Sequence, residues 1–411
     1  MMEISKRAQV LKPSPTLAMA NKARELGAQG HDVISLTVGE PDWPTFESAN
    51  QAAIKAIQEG FTKYTAAAGI PELRAEIAKM VSADLKVSYT AAQTIVASGA
   101  KFVIYGLLQM LVNEGDEVLV PSPYWVSYPT MAELAGAQVK ILECGYEQNF
   151  KLKAAQLERA ITPKSKVLIF SSPSNPTGLL YTKEEWKEIA AVLKKHPQLT
   201  VISDDIYDKL VYKSGKKNLV EGPNGIFRAP HLFDVAPELK DQVIVVNGAS
   251  KTYSMTGWRV GWALGPEKVM KVTADFLSQS TSNVTSIAQK AVLAALQNGD
   301  ADLKKAVDKL ESKRDRMFEK FKTLKYFKVI PPEGAFYFWV KVDSLFGKKV
   351  AGLPISNSKD LANLLLEKYF VAVVPGAEFG SEGYLRLSIA ASDSQLDKAF
   401  DRLQKLEADT E

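Results

Sequence analysis

Four short stretches carry residue types that do chemistry when they are held together. The richest is Asn247-Gly248-Ala249-Ser250-Lys251-Thr252-Tyr253-Ser254-Met255-Thr256-Gly257-Trp258-Arg259, in which Lys251 is the only basic residue between Gln242 and Arg259. A lysine desolvated among small residues loses proton affinity, and its free amine becomes available for Schiff-base chemistry. Its hydroxyl and glycine neighbours, with Arg259, suit an anion held by backbone N–H groups and a guanidinium fork. The second stretch, Ser203-Asp204-Asp205-Ile206-Tyr207, closes an apolar run. Strand alternation puts Asp204 and Asp205 on opposite faces, so one of them can point into a site. A buried carboxylate facing a ring nitrogen keeps that nitrogen protonated, while a tyrosine can hydrogen-bond a ring oxygen. The third, Ser171-Ser172-Pro173-Ser174-Asn175-Pro176-Thr177-Gly178, reads as a rigid turn that aims Asn175 into a cleft. The fourth, Ser98-Gly99-Ala100-Lys101, joins an apolar run to a helical stretch, where backbone N–H groups can bind an anion. Taken singly, each has an ordinary structural reading: a solvated loop lysine, a strand-end turn, a proline turn, a strand–helix junction. Together they form a set.

The elements that must position them alternate. Thr94–Ala97, Glu117–Val120, Gln138–Leu142, Lys166–Phe170, Thr200–Ser203 and Val243–Val246 read as strands, rich in Val and Ile and bounded mostly by Gly, Pro, Ser or Asp. Between several of them lie helical stretches, among them Phe102–Val112, Val126–Leu134 and Lys183–Lys194, the last with Thr182 as its N-cap. Strand–helix–strand alternation predicts an α/β fold with a mainly parallel sheet covered by helices. Ligands of such sheets bind beyond the carboxyl ends of the strands, which is where the four stretches fall.

The tail is organised differently. A charged helix over about Asp300–Leu324 precedes strands near Phe327–Ile330 and Phe336–Val340, a helix near Lys359–Glu367, strands at Val371–Val374 and Tyr384–Ser388, and a last helix from about Ser394. We therefore expect a large domain of residues 46–299 and a smaller α+β domain built from 300–411 with the N-terminal segment 1–45. The hinge falls around Gln297-Asn298-Gly299-Asp300.

Composition excludes several function classes. With 411 residues and 46% hydrophobic content, the chain has ample material for a core without staples. A net charge of +4, spread along the chain, does not mark a nucleic-acid binder. One cysteine, Cys144, rules out an internal disulfide framework, and three dispersed histidines (His31, His196, His231) argue against a zinc site; no metal is expected. No apolar run approaches the length of a membrane span, and the N-terminus lacks a signal-peptide core, so a soluble cytoplasmic protein is expected. No two glycines are separated by a single residue, which removes the Gly-x-Gly-x-x-Gly fingerprint; the P-loop and the Gly-x-Ser-x-Gly elbow are absent as well.

Asn-Pro-Thr-Gly at 175–178, Ser-Asp-x-x-Tyr at 203–207 and Ser250-Lys251 followed by Thr256-Gly257-Trp258-Arg259, in this order, resemble the class I aminotransferases of fold-type I, which use pyridoxal phosphate (PLP). The likeness is greatest to the bacterial aspartate aminotransferase branch. It runs from Leu11-Lys12-Pro13-Ser14 and Gly39-Glu40-Pro41-Asp42 to Tyr384-Leu385-Arg386-Leu387-Ser388. The resemblance implies helices on both faces of the large sheet and ping-pong transamination between an L-amino acid, aspartate or glutamate foremost, and a 2-oxo acid. It casts Lys251 as the lysine that bonds the cofactor, Asp204 as partner of its ring nitrogen, Tyr207 and Asn175 as partners of its ring oxygen, and Trp125 as the ring stacked on it. Gly99, Ala100, Ser250 and Arg259 would hold the phosphate, and Tyr64 would reach the phosphate of a neighbouring subunit, which implies a homodimer. Arg386, helped by Gly39 and Asn175, would clamp the substrate α-carboxylate, and Lys101 would meet a distal carboxylate. The same scaffold leaves open an aromatic or prephenate specificity, or a non-catalytic PLP-binding regulator.

Overall fold

The structure, a computed structural model, describes residues 2–9, 11 and 13–411. Lys12 of the N-terminal motif lies outside the described residues.

Seven strands form the large sheet. Their spatial order is Thr94–Ala97, Gly261–Leu264, Val243–Gly248, Thr200–Asp204, Ser165–Ser171, Glu117–Ser122 and Gln138–Glu143. All run parallel except Gly261–Leu264, which is antiparallel to both neighbours. Residue alternation explains why the strands read as continuous apolar runs. Val96, Leu119, Leu168, Val201 and Val245 pack on one face, while Ile95, Val118, Val120, Val167, Ile169, Ile202, Ile244 and Val246 pack on the other. A sheet buried on both faces needs apolar residues at odd and even positions alike. Each such valine, leucine or isoleucine contributes about 1.5–3 kcal/mol when fully buried.

The helices follow their own signals. Lys183–Leu193 starts at Thr182 with a complete capping box: the Thr182 side chain accepts from the Glu185 N–H, and the Glu185 carboxylate accepts from the Thr182 N–H. Ala100–Leu111 buries Val103, Ile104, Leu107 and Leu108, an apolar stripe at helical spacing. The long helix Asp300–Phe321 begins at Gly299, directly after the helix Ser286–Asn298.

A four-stranded antiparallel sheet follows, ordered Lys328–Val329, Tyr337–Lys341, Tyr384–Ser388 and Val374–Pro375. The run expected as one strand over 371–374 is divided. Val371 and Ala372 pair in parallel with Ile34 and Ser35, while Val374 and Pro375 pair with Arg386 and Leu385. The chain segment that follows Ile34–Ser35 is thereby laid against the C-terminal sheet: the Ser388 N–H donates to the Leu36 carbonyl at 2.9 Å. From there residues 37–45 cross to the large sheet. No helix among the described residues is long and apolar enough to cross a membrane.

Candidate active site

Register places the chemistry. Ser171 is paired with Asp204, Asp204 with Val246, and both Ala97 and Gly248 with Gly261, so the carboxyl ends of four strands lie side by side. From them emerge Ser98–Lys101, Ser172–Asn175, Asp204–Tyr207 and Ser250–Lys251. The Tyr384–Ser388 strand approaches from the smaller sheet and brings Arg386. Between them lies a cavity of about 330 Å³ lined by Gly39, Ala100, Lys101, Trp125, Asn175, Asp204, Tyr207, Ser250, Lys251, Arg259 and Arg386. Of the residues singled out in the sequence, only Gly99 and Tyr64 are not on this wall. Gly99 lies directly behind it, and Tyr64 is 91% exposed on the surface. A larger groove of about 910 Å³ opens next to the cavity and shares Lys101 and Arg259 with it, but Lys251, Asp204 and Arg386 do not line it.

Lys251 enters from the short helix Ala249–Thr252, and its Nζ donates to the Gly39 carbonyl at 2.5 Å. Burial pushes its ammonium down to about 8; Glu40 opposes the shift, while Arg259 and Arg386 add to it. An amine so placed is about half free at pH 8, far more than an exposed lysine, and a nucleophile or base requires the free form.

Of the two adjacent carboxylates, Asp204 is the one on the cavity side. It lines the cavity, whereas Asp205 faces the opposite side, where it accepts from Ser203 Oγ at 2.6 Å and lies 3.4 Å from His231 Nε2. Burial pushes Asp204 up to about 6, against the Tyr128 hydroxyl, which donates to its Oδ2 at 2.6 Å, and against the Ile206 N–H. Tyr128 is a site residue that the sequence reading missed. Its signal was there: it follows Trp125 by three residues, the spacing that puts two side chains on one side of a helical turn. The two rings meet edge to face at 5.4 Å.

Arg386 is a buried cation, 2% exposed. Its Nη1 donates to Asn175 Oδ1 at 2.9 Å and its Nη2 to the Thr37 carbonyl at 2.6 Å, while its Nε has no partner. The guanidinium stacks over Tyr337 at 4.4 Å and over Phe379 at 5.0 Å. Tyr337 in turn shares a 2.8 Å hydrogen bond with Tyr207. Both aromatic partners of Arg386 were missed in the sequence, where they read as core residues. Lys101 Nζ lies 4.8 Å above the Trp125 ring, with its ammonium lowered by burial and then by Arg259.

Gly99 has φ +93, and a Cβ there would sit 2.5 Å from Arg259 Nη2. A glycine is therefore required for the guanidinium to lie against the start of the Ala100–Leu111 helix, whose first N–H groups have no intrahelical acceptor. Guanidinium and helix terminus together make an anion cradle. Among the described residues, Lys101, Lys251, Arg259 and Arg386 have no carboxylate within 4.0 Å to neutralise them. Four cations without a carboxylate partner around one cavity, against the two wall carboxylates Asp204 and Glu40, suit a ligand carrying several negative charges.

Comparison with known proteins agrees with this chemistry. Residues 31–403 match the family of class I and II aminotransferases. A probable aspartate/prephenate aminotransferase of Rickettsia bellii is 45% identical over 403 residues, covering 98% of either chain. An aspartate aminotransferase of Geobacillus stearothermophilus is 42% identical over 406 residues, again 98% of both. Among solved structures, the aspartate aminotransferase of Thermus thermophilus with maleate superposes with a TM-score of 0.89 at 38% identity, covering 99% of this chain and 100% of that one. The aspartate aminotransferase from Rhizobium meliloti gives 0.93 at 33% identity, with both chains covered in full. By its match along nearly its whole length, the chain belongs to the class I and II aminotransferase family.

Proposed function

We propose that this protein is a PLP-dependent aminotransferase that moves an amino group between an acidic L-amino acid, aspartate or glutamate, and a 2-oxo acid, oxaloacetate or 2-oxoglutarate, in a ping-pong cycle. The observation that carries the reading is the convergence of Lys251, Asp204 and the carboxylate-free Arg386 on one cavity.

The residues fit the cofactor. Arg259 with the helix start behind Gly99, and Ser250 beside them, would hold its phosphate; Trp125 would stack on its ring; Asp204 would face its ring nitrogen; Asn175 and Tyr207 would meet its ring oxygen. When bound, PLP supplies an aldehyde that condenses with amines and a ring that accepts electrons from the substrate Cα. Lys251, the buried amine on the cavity wall, would hold the aldehyde and would supply the base for the substrate Cα proton. Asp204, whose ionised form the Tyr128 hydroxyl favours against burial, would keep a proton on the ring nitrogen. Arg386 orients the α-carboxylate through its fork, with Asn175 fixing the plane of the guanidinium and Gly39 beside it. Lys101 meets the distal carboxylate, a role supported by the dicarboxylate maleate named with the Thermus structure.

A second reading adds prephenate as an acceptor. The names of the Rickettsia relatives and the groove of about 910 Å³ beside Lys101 favour it. The proposal also includes a homodimer in which the exposed Tyr64 serves the partner's site, a cytoplasmic location, and the division into domains 46–299 and 1–45 with 300–411. The test is chemical: borohydride reduction of the PLP-loaded protein should fix the cofactor on the peptide containing Lys251. Label on another lysine, or none, would overturn the assignment.

A further inference from the structure

Residues 37–45, which cross from the small sheet to the large one, form a strap over the cavity, and their hydrogen bonds go to its two key cations. The Thr37 carbonyl accepts from Arg386 and the Gly39 carbonyl from Lys251. Beyond Gly39 the strap is fastened along the lysine's own loop. Thr256 Oγ1 donates to Glu40 Oε1 at 2.8 Å, Ser254 Oγ donates to the Trp43 carbonyl, Thr45 Oγ1 donates to the Ser254 carbonyl at 2.7 Å, and Trp258 Nε1 donates to Thr45 Oγ1 at 3.1 Å. On the other side Asp42 pairs with the buried Lys313 of the long helix.

Glu40 is distinctive among these residues because it lines the cavity with a charge. The charged groups that share the cavity with Lys251 and act on its ammonium are Arg259 on its own loop, Arg386 from the small sheet, Asp204 from the neighbouring strand and Glu40 from the strap. Lys101 stands across the cavity, and the Tyr207 and Tyr337 phenols are neutral at pH 7. Asp204 is engaged by the Tyr128 hydroxyl. Glu40 and, more weakly, Asp204 are the carboxylates that oppose the two guanidinium groups.

We propose that Glu40 is a positioning residue for Lys251: anchored by Thr256, it locks strap to lysine loop so that the Gly39 carbonyl stays on the amine, and its charge offsets Arg259 and Arg386. The proposal rests on the reading of Lys251 as the reactive lysine. Its consequence is that the Lys251 ammonium persists to higher pH than two neighbouring guanidinium groups would otherwise allow. The lysine can then hold a proton for return to substrate as well as take one.

The experiment titrates Lys251 directly in the PLP-free full-length protein, by trace acylation with acetic anhydride across pH and mass spectrometry of the Lys251 peptide. Glu40→Gln keeps an acceptor for Thr256 and removes only the charge. It should lower the midpoint of Lys251 reactivity by about half a unit or more at low ionic strength, with the gap narrowing in salt and the melting temperature unchanged. Thr256→Val keeps the charge and frees the carboxylate, and should give a smaller shift in the same direction. An unmoved midpoint in Glu40→Gln would overturn the proposal, as would a shift in Thr256→Val alone. Borohydride fixation of PLP on wild-type Lys251 is read separately, so failure of the cofactor assignment is distinguishable from failure of the role of Glu40.

Discussion

Replacing Arg386 by lysine keeps a positive charge at the clamp and removes the fork, which isolates what planar, two-point recognition contributes. In the structure Nη1 and Nη2 are fixed by Asn175 and the Thr37 carbonyl, and the guanidinium lies 4.4 Å from the Tyr337 ring and 5.0 Å from the Phe379 ring. A lysine in that slot has one ammonium and no fixed plane, so it forgoes two oriented hydrogen bonds to the carboxylate. Hydrogen bonds to charged groups are worth about 1.5–3 kcal/mol each, giving about 3–6 kcal/mol for the pair. At about 1.36 kcal/mol per factor of ten, kcat/KM should fall about 10²- to 10⁴-fold. The assay is the single-turnover half-reaction, followed by loss of the cofactor's visible absorbance, with aspartate, glutamate and phenylalanine. Every amino acid carries the α-carboxylate, so the fold-loss should be the same for all three. A loss below tenfold, or one confined to the acidic substrates, would refute this role for Arg386.

Three further outcomes are expected. Lys101→Gln should reduce kcat/KM for aspartate about ten- to a hundredfold, the worth of one charged hydrogen bond, and leave phenylalanine nearly unchanged; equal losses would move Lys101 to the phosphate or to a structural role. Tyr128→Phe removes a hydrogen bond that lowers the Asp204 carboxyl. Asp204 must be ionised to act, so the acid limb of the half-reaction's pH profile should move upward by about one to two units, and an unmoved limb would contradict the link. The lysine ammonium, depressed to about 8, sets the third. Reloading of the stripped protein by PLP should quicken as pH rises towards about 8 and level off above it, because only the free amine reacts. A flat profile from pH 6 to 9 would show that another group limits the step.

The sequence disclosed the site more completely than the edges of the elements. The strands Thr94–Ala97 and Tyr384–Ser388 end where their residues predict, because small or polar residues close them directly. Others run on past their apolar residues. Ser171, Asp204, Asn247 and Gly248 are weak strand formers, yet they remain paired because neighbouring strands supply partners in register. Two of those extra residues, Ser171 and Asp204, line the cavity, so propensity alone stops just short of it. The antiparallel strand Gly261–Leu264 is invisible as a separate run, being four residues between the Arg259 loop and Gly265-Pro266. The division of 371–375 between two sheets depends on partners at 34–35 and 385–386, which no local pattern contains.

Functional residues split along the same line. Lys251, Asp204 and Asn175 were legible because a polar residue at or just past a strand end, beside glycine, serine or proline, is locally unusual; Arg386, between Leu385 and Leu387 in mid-strand, was picked out only by the family resemblance. Tyr128, Tyr337 and Phe379 were not, since an aromatic residue in an apolar stretch reads as core until its hydroxyl or ring face is placed against a charge. Glu40 was read only as part of a motif, and its contact with Thr256 spans more than two hundred residues.

The most direct test of the central claim is the visible spectrum of the purified, PLP-reconstituted protein before and after L-aspartate and then 2-oxoglutarate. A yellow absorption band that aspartate bleaches and 2-oxoglutarate restores is expected, which would establish the cofactor and both half-reactions in one cuvette. A protein that stays colourless after incubation with PLP would contradict it.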